Sequence, residues 1–502
     1  MRSIRTLWIV LAVICIVSFT ILGLVGRQIY LNMPPVPDKV VSASGDVLFD
    51  RDDIDTGRIV WQSIGGHQLG SIWGHGSYLT PDWSADWLHR ELTFILDRWA
   101  TLDHGTVYAD ITSEQQAALR ERLRTQIRSN RVNEANGELV VSDVRAAAIR
   151  DNQTYYAGLF GGSPEMNTLR EQYAMSSNPI PDQARRQALT AFIFWASWST
   201  TTDRPGETTT YTMNWPHEPL VGNVATTEAV VWSVASFVAL IGAIGLMVWY
   251  QAIYTADEPL PSAPARDPLE ELRPTRSMLA TRKYFFVVVA LFLVQIGLGT
   301  LTAHYTVEGQ HFYGLPLADY LPYATSRTWH TQIAVFWIAT AWLATGLYIA
   351  PAVGGRDPRF QTLGVHLLFF ALLIVVVGSL AGEWLAVQQK MGLKWNFWFG
   401  HQGYEYVDLG RFWQILLFVG LLLWLLLVGR ARPAIRRRSD SQSLVASVFV
   451  STVAIALFYA AGLVWGQHTH LSMIEYWRWW VVHLWVEGFF EVFATPSSPC
   501  SS

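Results

Sequence analysis

The segment "WRWWVVHLWVEGFFEVF", residues 477–493, is apolar enough for a membrane helix and yet contains, beyond Arg478 near its start, a histidine and two acids. His483, Glu487 and Glu491 follow one another at intervals of four residues, so they share one helix face. Ionisable groups are costly in lipid, and an imidazole beside carboxylates suits a metal ion or proton transfer. A histidine paired with an acid purely for packing is the structural alternative. We favour metal or proton chemistry because two acids accompany this histidine.

The rest of the chain has the composition of an integral membrane protein. Of its 502 residues 51% are hydrophobic and only 15% are charged, and apolar stretches of about 20 residues, the length of a spanning helix, recur along it. We therefore predict an all-α polytopic membrane protein in contact with the lipid bilayer. The eight predicted spanning helices are residues 7–26, 229–252, 284–303, 331–351, 362–382, 412–429, 445–466 and 476–495.

The loops predict the orientation of these helices. Basic residues concentrate in 253–283, in the turn "GGRDPRF" and in "RARPAIRRR" after residue 429, which places those loops in the cytoplasm. The first helix follows "MRSIRT" without a small-residue cleavage site, so an uncleaved anchor is favoured over a signal peptide. The polar insertion after it is then an extracytoplasmic, α-rich domain, in which Ser113 is the predicted cap of the helix "SEQQAALRERLRTQIR".

Composition also excludes several classes of protein. The two cysteines, Cys15 and Cys500, can form neither a disulfide framework nor a thiolate metal site. No C-x-x-C-H motif for covalent haem attachment occurs. Basic residues form no stripe with interleaved aromatic side chains, so we expect no nucleic-acid partner.

Two further histidines stand at the outer ends of predicted helices. His330, in "SRTWHTQIAVFW", is placed to be an axial haem ligand, although a lone histidine at a helix end is more often an interfacial residue. His304 and Glu308 lie four residues apart and could accept the two protons of a quinol headgroup. An ordinary helix end at the membrane surface is the alternative for this pair.

Two loop segments carry other candidate ligands. In "FGHQGYEYVDLGRFW", Glu405 and Asp408 offer hard oxygen ligands for Ca²⁺ or a route for protons, against the alternative of a solvated loop. The segment "WQSIGGHQLGSIWGHGSYLTPDWSADWLHRE" contains His67, His75 and His89 at a spacing that fits no standard metal site. Glycine turns packed by tryptophan explain this segment, and we favour a structural role for its histidines.

Four segments together resemble the quinol-dependent nitric oxide reductases, a branch of the haem–copper oxidase superfamily. They are residues 61–91, "RTWHTQIAVFWIATAWLATGLYIAP", "GHQGYEYVDLGRFWQ" and "WRWWVVHLWVEGFFEVFAT". The resemblance implies reduction of two nitric oxide molecules to nitrous oxide and water in the bacterial inner membrane, with membrane quinol as electron donor. It also implies two b-type haems, a non-haem iron, a calcium ion and a homodimer for the full-length family. The missing C-x-x-C-H agrees with the quinol type, whose fused cytochrome-c-like domain has lost its haem.

The resemblance also assigns residues and domains by motif position. His330 corresponds to an axial ligand of the low-spin haem b. The other implied residues are His483 and Glu487 for the non-haem iron, Glu487 and Glu491 for catalytic proton delivery, Glu405, Gly76 and Tyr78 for calcium, and His304 and Glu308 for quinol. The implied division is an anchor at 1–28, the cytochrome-c-like domain at 29–227, a helix with a cytoplasmic linker at 228–283, a partial catalytic bundle at 284–495 and a tail at 496–502.

The chain departs from the family pattern after "EVFAT", where "PSSPCSS" follows. The family continues with helices that carry further haem and iron ligands, so we expect an incomplete N-terminal portion that is inactive alone. Two other functions compete. An oxygen-reducing terminal oxidase usually has a histidine–tyrosine pair where this chain has His483 and Glu487, which favours nitric oxide chemistry. The second is a non-catalytic membrane remnant.

Overall fold

The computed structural model describes residues 4–133, 135–254, 272–312, 314–354, 357–430 and 442–483. Most of these residues form helices. The helices are α1 Ile4–Leu31, α2 Arg51–Ser63, α3 Trp83–His104, α4 Ser113–Arg128, α5 Asp143–Phe160, α6 Asn167–Gln172, α7 Gln183–Thr201, α8 Thr227–Tyr254, α9 Arg276–Ala280, α10 Arg282–Glu308, α11 Tyr323–Gly354, α12 Gln361–Val387, α13 Leu393–Phe399, α14 Arg411–Gly429, α15 Gln442–Ala461 and α16 Leu471–His483. The strands are β1 Lys39–Ser42, β2 Val47–Asp50, β3 Val132–Asn133, β4 Glu138–Val141, β5 His311–Phe312 and β6 Leu315–Pro316.

Six helical segments in the described residues are long and apolar enough to cross a bilayer. They are Trp8–Leu31, Thr227–Ile253, Arg276–Glu308, Tyr323–Ala352, Gln361–Val387 and Arg411–Gly429. The prediction of an all-α polytopic membrane protein is thereby confirmed. The seventh predicted helix is α15, whose apolar part Phe449–Ala461 is shorter. The eighth begins as α16, and its predicted part beyond His483 lies outside the described residues.

Residues 32–226 form a globular domain between α1 and α8. Local capping explains where its helices begin: at α2, the Asp50 carboxylate accepts from the Asp53 amide, and the Asp53 carboxylate accepts from the Asp50 amide. The same reciprocal arrangement at α4 joins Thr112 and Gln115. The cap of α4 is therefore Thr112, one residue before the predicted Ser113.

This domain also contains a small sheet that the sequence pattern did not predict. Its strand order is β2-β1-β4-β3, with β1 and β4 parallel and the other two pairs antiparallel. The strands have two to four residues. Such segments are too short to show the alternation that distinguishes a strand from a loop.

Tryptophan side chains fill the core of the globular domain. Trp61, Trp83, Trp87 and Trp198 are all buried, and Trp87 stacks on Tyr156 with ring centroids 5.3 Å apart. Large aromatic rings bury the most area per residue. The packing agrees with the structural interpretation of the tryptophan- and glycine-rich segment 61–91.

Close backbone contacts join the globular domain to the membrane bundle. At Gly66 (φ 51°), an added Cβ would lie 2.1 Å from the Gly403 carbonyl oxygen, and the neighbouring His67 amide donates to that oxygen at 2.8 Å. Arg58 donates to the carbonyls of Gln467, at 2.8 Å, and Thr469. The contacts of Gly66 and His67 hold the loop after α2 against residues 400–410, where the candidate site lies. Those of Arg58 hold α2 against the connection between α15 and α16.

Candidate functional site

A cavity of about 820 Å³ lies between the globular domain and the bundle. Its walls come from residues 74–79, the beginning of α11, the segment around Glu405 and the end of the described part of α16. Arg327 and Arg478 line it together with Glu405. Its volume is in the range of cofactor pockets, and its arginines are suited to bind the carboxylates of a ligand.

The three residues predicted to bind calcium all line this cavity. Glu405 accepts a hydrogen bond of 2.6 Å from Arg327, and Tyr78 donates to the Gly74 carbonyl at 2.9 Å, while Gly76 lies between those two loop residues. The described residues contain no group of three His, Cys, Asp or Glu side chains that could hold a metal ion. A cation here would therefore need carbonyl and hydroxyl oxygens besides Glu405, the donors that Ca²⁺ accepts.

His330 lies on α11, where its side chain contacts α10. It does not line the cavity, although Arg327, one turn earlier on α11, does. Its Nδ1 lies 3.1 Å from the Gln295 carbonyl oxygen, so Nδ1 donates and Nε2 is the nitrogen with a lone pair. Gly299 leaves room for the ring, because an added Cβ would lie 2.8 Å from Cε1. An imidazole oriented through Nδ1 fits the requirements of an axial haem ligand.

The side chains of His304 and Glu308 lie within hydrogen-bonding distance of each other at the end of α10. The distance from His304 Nε2 to Glu308 Oε2 is 3.1 Å, and the Glu308 side chain is 56% exposed while that of His304 is 16% exposed. The pair thus has an exposed acid and a more enclosed base within hydrogen-bonding distance. This arrangement can exchange protons with a ligand that approaches the helix end.

The predicted iron site falls at the edge of the described structure. His483 is the last described residue of α16. Glu487 and Glu491 lie outside the described residues. Their predicted roles in iron binding and proton delivery stay predictions.

Asp408 occupies the centre of a buried polar network that the sequence did not reveal. Its Oδ2 accepts hydrogen bonds from Gln68 at 3.0 Å and from Gln332 at 2.8 Å. Burial raises the pKa of Asp408 to about 7, and the two amide donors act in the opposite direction. The sequence indicated Asp408 as a candidate, but only the fold brings together glutamines from the globular domain and from α11.

Two buried histidines complete this network in their neutral form. His401 Nδ1 accepts from the Gly403 amide at 2.9 Å, so Nε2 carries the proton and lies 2.9 Å from the Thr328 hydroxyl. Burial lowers the pKa of His401 to about 3. Burial, reinforced by the charge of Arg478, likewise lowers the pKa of His67 well below its ordinary value. The structural role predicted for His67 agrees with this position, whereas no feature of the sequence distinguished His401.

Comparisons with known proteins match both parts of the chain. Residues 37–217 match the family of the NorB cytochrome c-like domain of nitric oxide reductase, and residues 279–497 match the family of cytochrome c and quinol oxidase polypeptide I. A similar protein is the NorB polypeptide of nitric oxide reductase from Stutzerimonas stutzeri, 22% identical over 220 residues. That alignment covers 43% of this chain and 44% of the relative, so the chain matches less than half of the relative's length.

The two family matches follow one another along the chain as the globular domain and the membrane bundle do. Polypeptide I of the oxidases is a polytopic helical membrane protein, in agreement with the six spanning segments. Residues 279–497 are thus similar to polypeptide I of the cytochrome c and quinol oxidases, and the order of the two matched segments is like that of the NorB polypeptide of nitric oxide reductase.

Proposed function

We propose that this protein belongs to a bacterial inner-membrane enzyme that oxidises a membrane quinol and reduces nitric oxide to nitrous oxide. The reaction balances as one quinol and two nitric oxide molecules giving one quinone, one nitrous oxide and one water. The observation that carries the proposal is the cavity where the cytochrome c-like domain meets the oxidase-like bundle, lined by Gly76, Tyr78, Glu405 and two arginines. The match to the NorB polypeptide of nitric oxide reductase supports the choice of substrate.

The His304–Glu308 pair is the proposed quinol site. A quinol releases two protons as it loses two electrons, and an imidazole 3.1 Å from a carboxylate offers two acceptors. The exposure of Glu308 leaves it accessible at the end of α10. Glu308 would accept a hydroxyl proton, and His304 would orient that carboxylate and accept the second proton.

Other residues would hold the proposed cofactors. Haem b and non-haem iron, when bound, supply the electron transfer and the binding of nitric oxide. His330 would be a haem ligand, with its Nδ1 held by Gln295, and Arg327 and Arg478 would pair with anionic groups in the cavity. Glu405, with Gly76 and Tyr78, would bind calcium. His483 and Glu487 are proposed for iron, and Glu491 for proton delivery, on the resemblance alone.

The test begins with the full chain purified from membranes. Under this proposal the chain shows a b-type haem spectrum and consumes nitric oxide when quinol is added, with one nitrous oxide formed per two nitric oxide molecules. This result would overturn the sequence-based expectation that the chain is inactive alone. Glu308→Gln should lower the quinol-dependent rate at least about tenfold, as expected for loss of a proton acceptor, without changing the haem spectrum. Glu228→Gln, an exposed acid at the start of α8, is the matched control and should retain the rate.

Two outcomes would overturn the proposal. Consumption of oxygen in place of nitric oxide would identify a terminal oxidase of the same superfamily. A chain that binds no haem and consumes neither gas would be a non-catalytic membrane protein.

A further inference from the structure

Two cavities adjoin where the globular domain meets the end of α1. The first has a volume of about 400 Å³ and is lined by the end of α1, by loops that contain Trp73 and Trp215, and by the start of α16. The second, of about 670 Å³, lies against β3, the edge strand of the small sheet. Arg204 and Tyr211 line both cavities, so the two form one groove, the α1 groove.

The connection from α1 to the globular domain runs along the whole α1 groove. Residues within 28–34 line the first cavity, and residues 35–37 line the second. Gln28 and Ile29 belong to α1, which is long and apolar enough to cross a bilayer. Apolar side chains near this end of α1 are exposed, with 59% exposure for Leu24 and 57% for Leu31. The groove therefore begins at the membrane surface and continues into the globular domain.

The acids that line the α1 groove are already neutralised by neighbouring arginines. Asp203, in the second cavity, accepts a hydrogen bond of 2.5 Å from Arg128, which lines the same cavity. Glu475, in the first cavity, accepts from Arg478 at 2.9 Å. A ligand in the groove therefore meets these two carboxylates as members of ion pairs, and not as isolated negative charges.

Arg204, at the junction of the two cavities, keeps donors that its neighbours do not use. Its Nη2 donates to the Tyr211 carbonyl at 3.1 Å. Its Nη1 is 3.8 Å from Glu207 Oε2, which is beyond hydrogen-bond length, and its Nε has no hydrogen-bond partner among the described residues. Arg51, in the second cavity, donates to Asp38 at 2.7 Å and has a side chain that is 48% exposed. Guanidinium groups of this kind bind phosphate oxygens well.

The walls of the first cavity require a ligand that is also apolar. Trp73, Trp215, Met33 and Met213 line it around the junction at Arg204. Tryptophan is typical of the membrane–water interface, where one end of a ligand is apolar and the other is hydrated. A free phosphate ion would use the arginine and leave the apolar walls and the membrane end of the groove unexplained. A phospholipid uses all three features.

We propose that the α1 groove binds an anionic phospholipid. Its phosphate lies at Arg204, its headgroup extends toward Arg51, and its acyl chains follow the exposed side of α1 into the bilayer. The lipid would then hold the globular domain against the membrane surface. Among the described residues that line the groove, none is proposed to bind haem, iron, calcium or quinol. The proposal therefore stands whether or not the chain reduces nitric oxide.

Electron paramagnetic resonance of spin-labelled lipids tests this inference with the full chain in phosphatidylcholine vesicles. Spin-labelled phosphatidylglycerol should associate with the protein at least about fivefold more strongly than spin-labelled phosphatidylcholine, the contribution expected of about one arginine near a membrane. Arg204→Gln should bring this ratio close to one, whereas Arg204→Lys, which keeps the charge, should retain most of it. Arg122→Gln, at an exposed arginine of α4 outside the groove, is the matched control and should leave the ratio unchanged.

Added inorganic phosphate separates a lipid site from a site for soluble anions. At constant ionic strength it should not displace the bound phosphatidylglycerol, and displacement would overturn the lipid assignment. Equal association of the two lipids with the wild-type protein would also overturn the proposal, as would an unchanged ratio in Arg204→Gln. Should Arg204→Gln fail to fold, Arg51→Gln provides the second test, because its side chain is partly exposed. An unchanged ratio in Arg51→Gln would then count against the proposal, and a lowered ratio would support it.

Discussion

At the scale of single residues, the orientation of His330 is the feature that supports its proposed role as a haem ligand. Its Nδ1 is held by the Gln295 carbonyl at 3.1 Å, and Gly299 provides the space for the ring. Histidines that bind metals commonly donate from the other ring nitrogen to such an acceptor. The sequence placed this histidine at a helix end, where alone it favoured an interfacial role.

His330→Leu should abolish the low-spin haem signal in the optical spectrum of the purified protein, because leucine provides no iron ligand. His366→Leu is the matched control, since His366 lies on α12 beside Lys283 and has no proposed cofactor role. The control should retain the full haem signal. Equal haem content and equal spectra in both variants would contradict the assignment of His330.

At the scale of elements, the loop after α2 contacts the membrane bundle at Gly66, so this glycine lies where the globular domain docks. Gly66 adopts φ 51° with its α-carbon against the backbone of Gly403. No residue with a Cβ fits there, since the carbonyl oxygen would be 2.1 Å away and belongs to the backbone. The position combines a close approach with a conformation that favours glycine.

Gly66→Ala should lower the thermal unfolding temperature of the full chain in detergent much more than Gly105→Ala. Gly105 also has a positive φ, 76°, but no atom lies within 4 Å of its added Cβ. The control variant therefore measures conformational strain alone, about 1–2 kcal/mol. The difference between the variants measures the contact with Gly403. Equal losses of stability would show that this contact is not needed for docking.

The element scale also shows how far the sequence could predict the structure. Apolar runs predicted α8, α10, α12 and α14 because lipid requires them. The predicted helix 362–382 ended one residue before Glu383, whereas α12 continues to Val387 and buries that acid. Its enclosure depends on the packing of α12 against α11 and α14, which no local pattern in the sequence predicts. The grouping of Gly76, Tyr78 and Glu405 was likewise predicted only from a family resemblance, because no local sequence pattern indicates it.

At the scale of the whole molecule, buried titratable groups link stability to pH in two directions. His401 and His470 have pKa values lowered by burial to about 3 and about 4. Between about pH 6.5 and these lowered pKa values, the two histidines bind more protons in the unfolded chain than in the folded chain. The free energy of unfolding therefore falls as the pH falls through this range. The pKa of Asp408 is raised from 3.8 to about 7, so its contribution falls as the pH rises through that interval.

Asp408→Asn should therefore stabilise the protein more at about pH 8 than at about pH 5, with a higher unfolding temperature. The difference in unfolding free energy between variant and wild type should grow by up to about 1.4 kcal/mol per pH unit within the window. Asparagine keeps an oxygen that can accept from Gln68 and Gln332. Thermal unfolding at several pH values measures the effect, with Asp46→Asn, at an acid that is 63% exposed, as the control. A constant difference between wild type and Asp408→Asn at every pH would show that Asp408 does not titrate in this window.

The hydrogen bonds from Arg58 to Gln467 and Thr469 cross 409 and 411 positions of the chain. A ribosome makes Arg58 long before those two carbonyls exist, and five of the spanning segments must be threaded into the bilayer in the meantime. The globular domain is synthesised first. It can therefore complete its docking only after the connection between α15 and α16 has been synthesised, and this late step sets when the protein reaches its final structure.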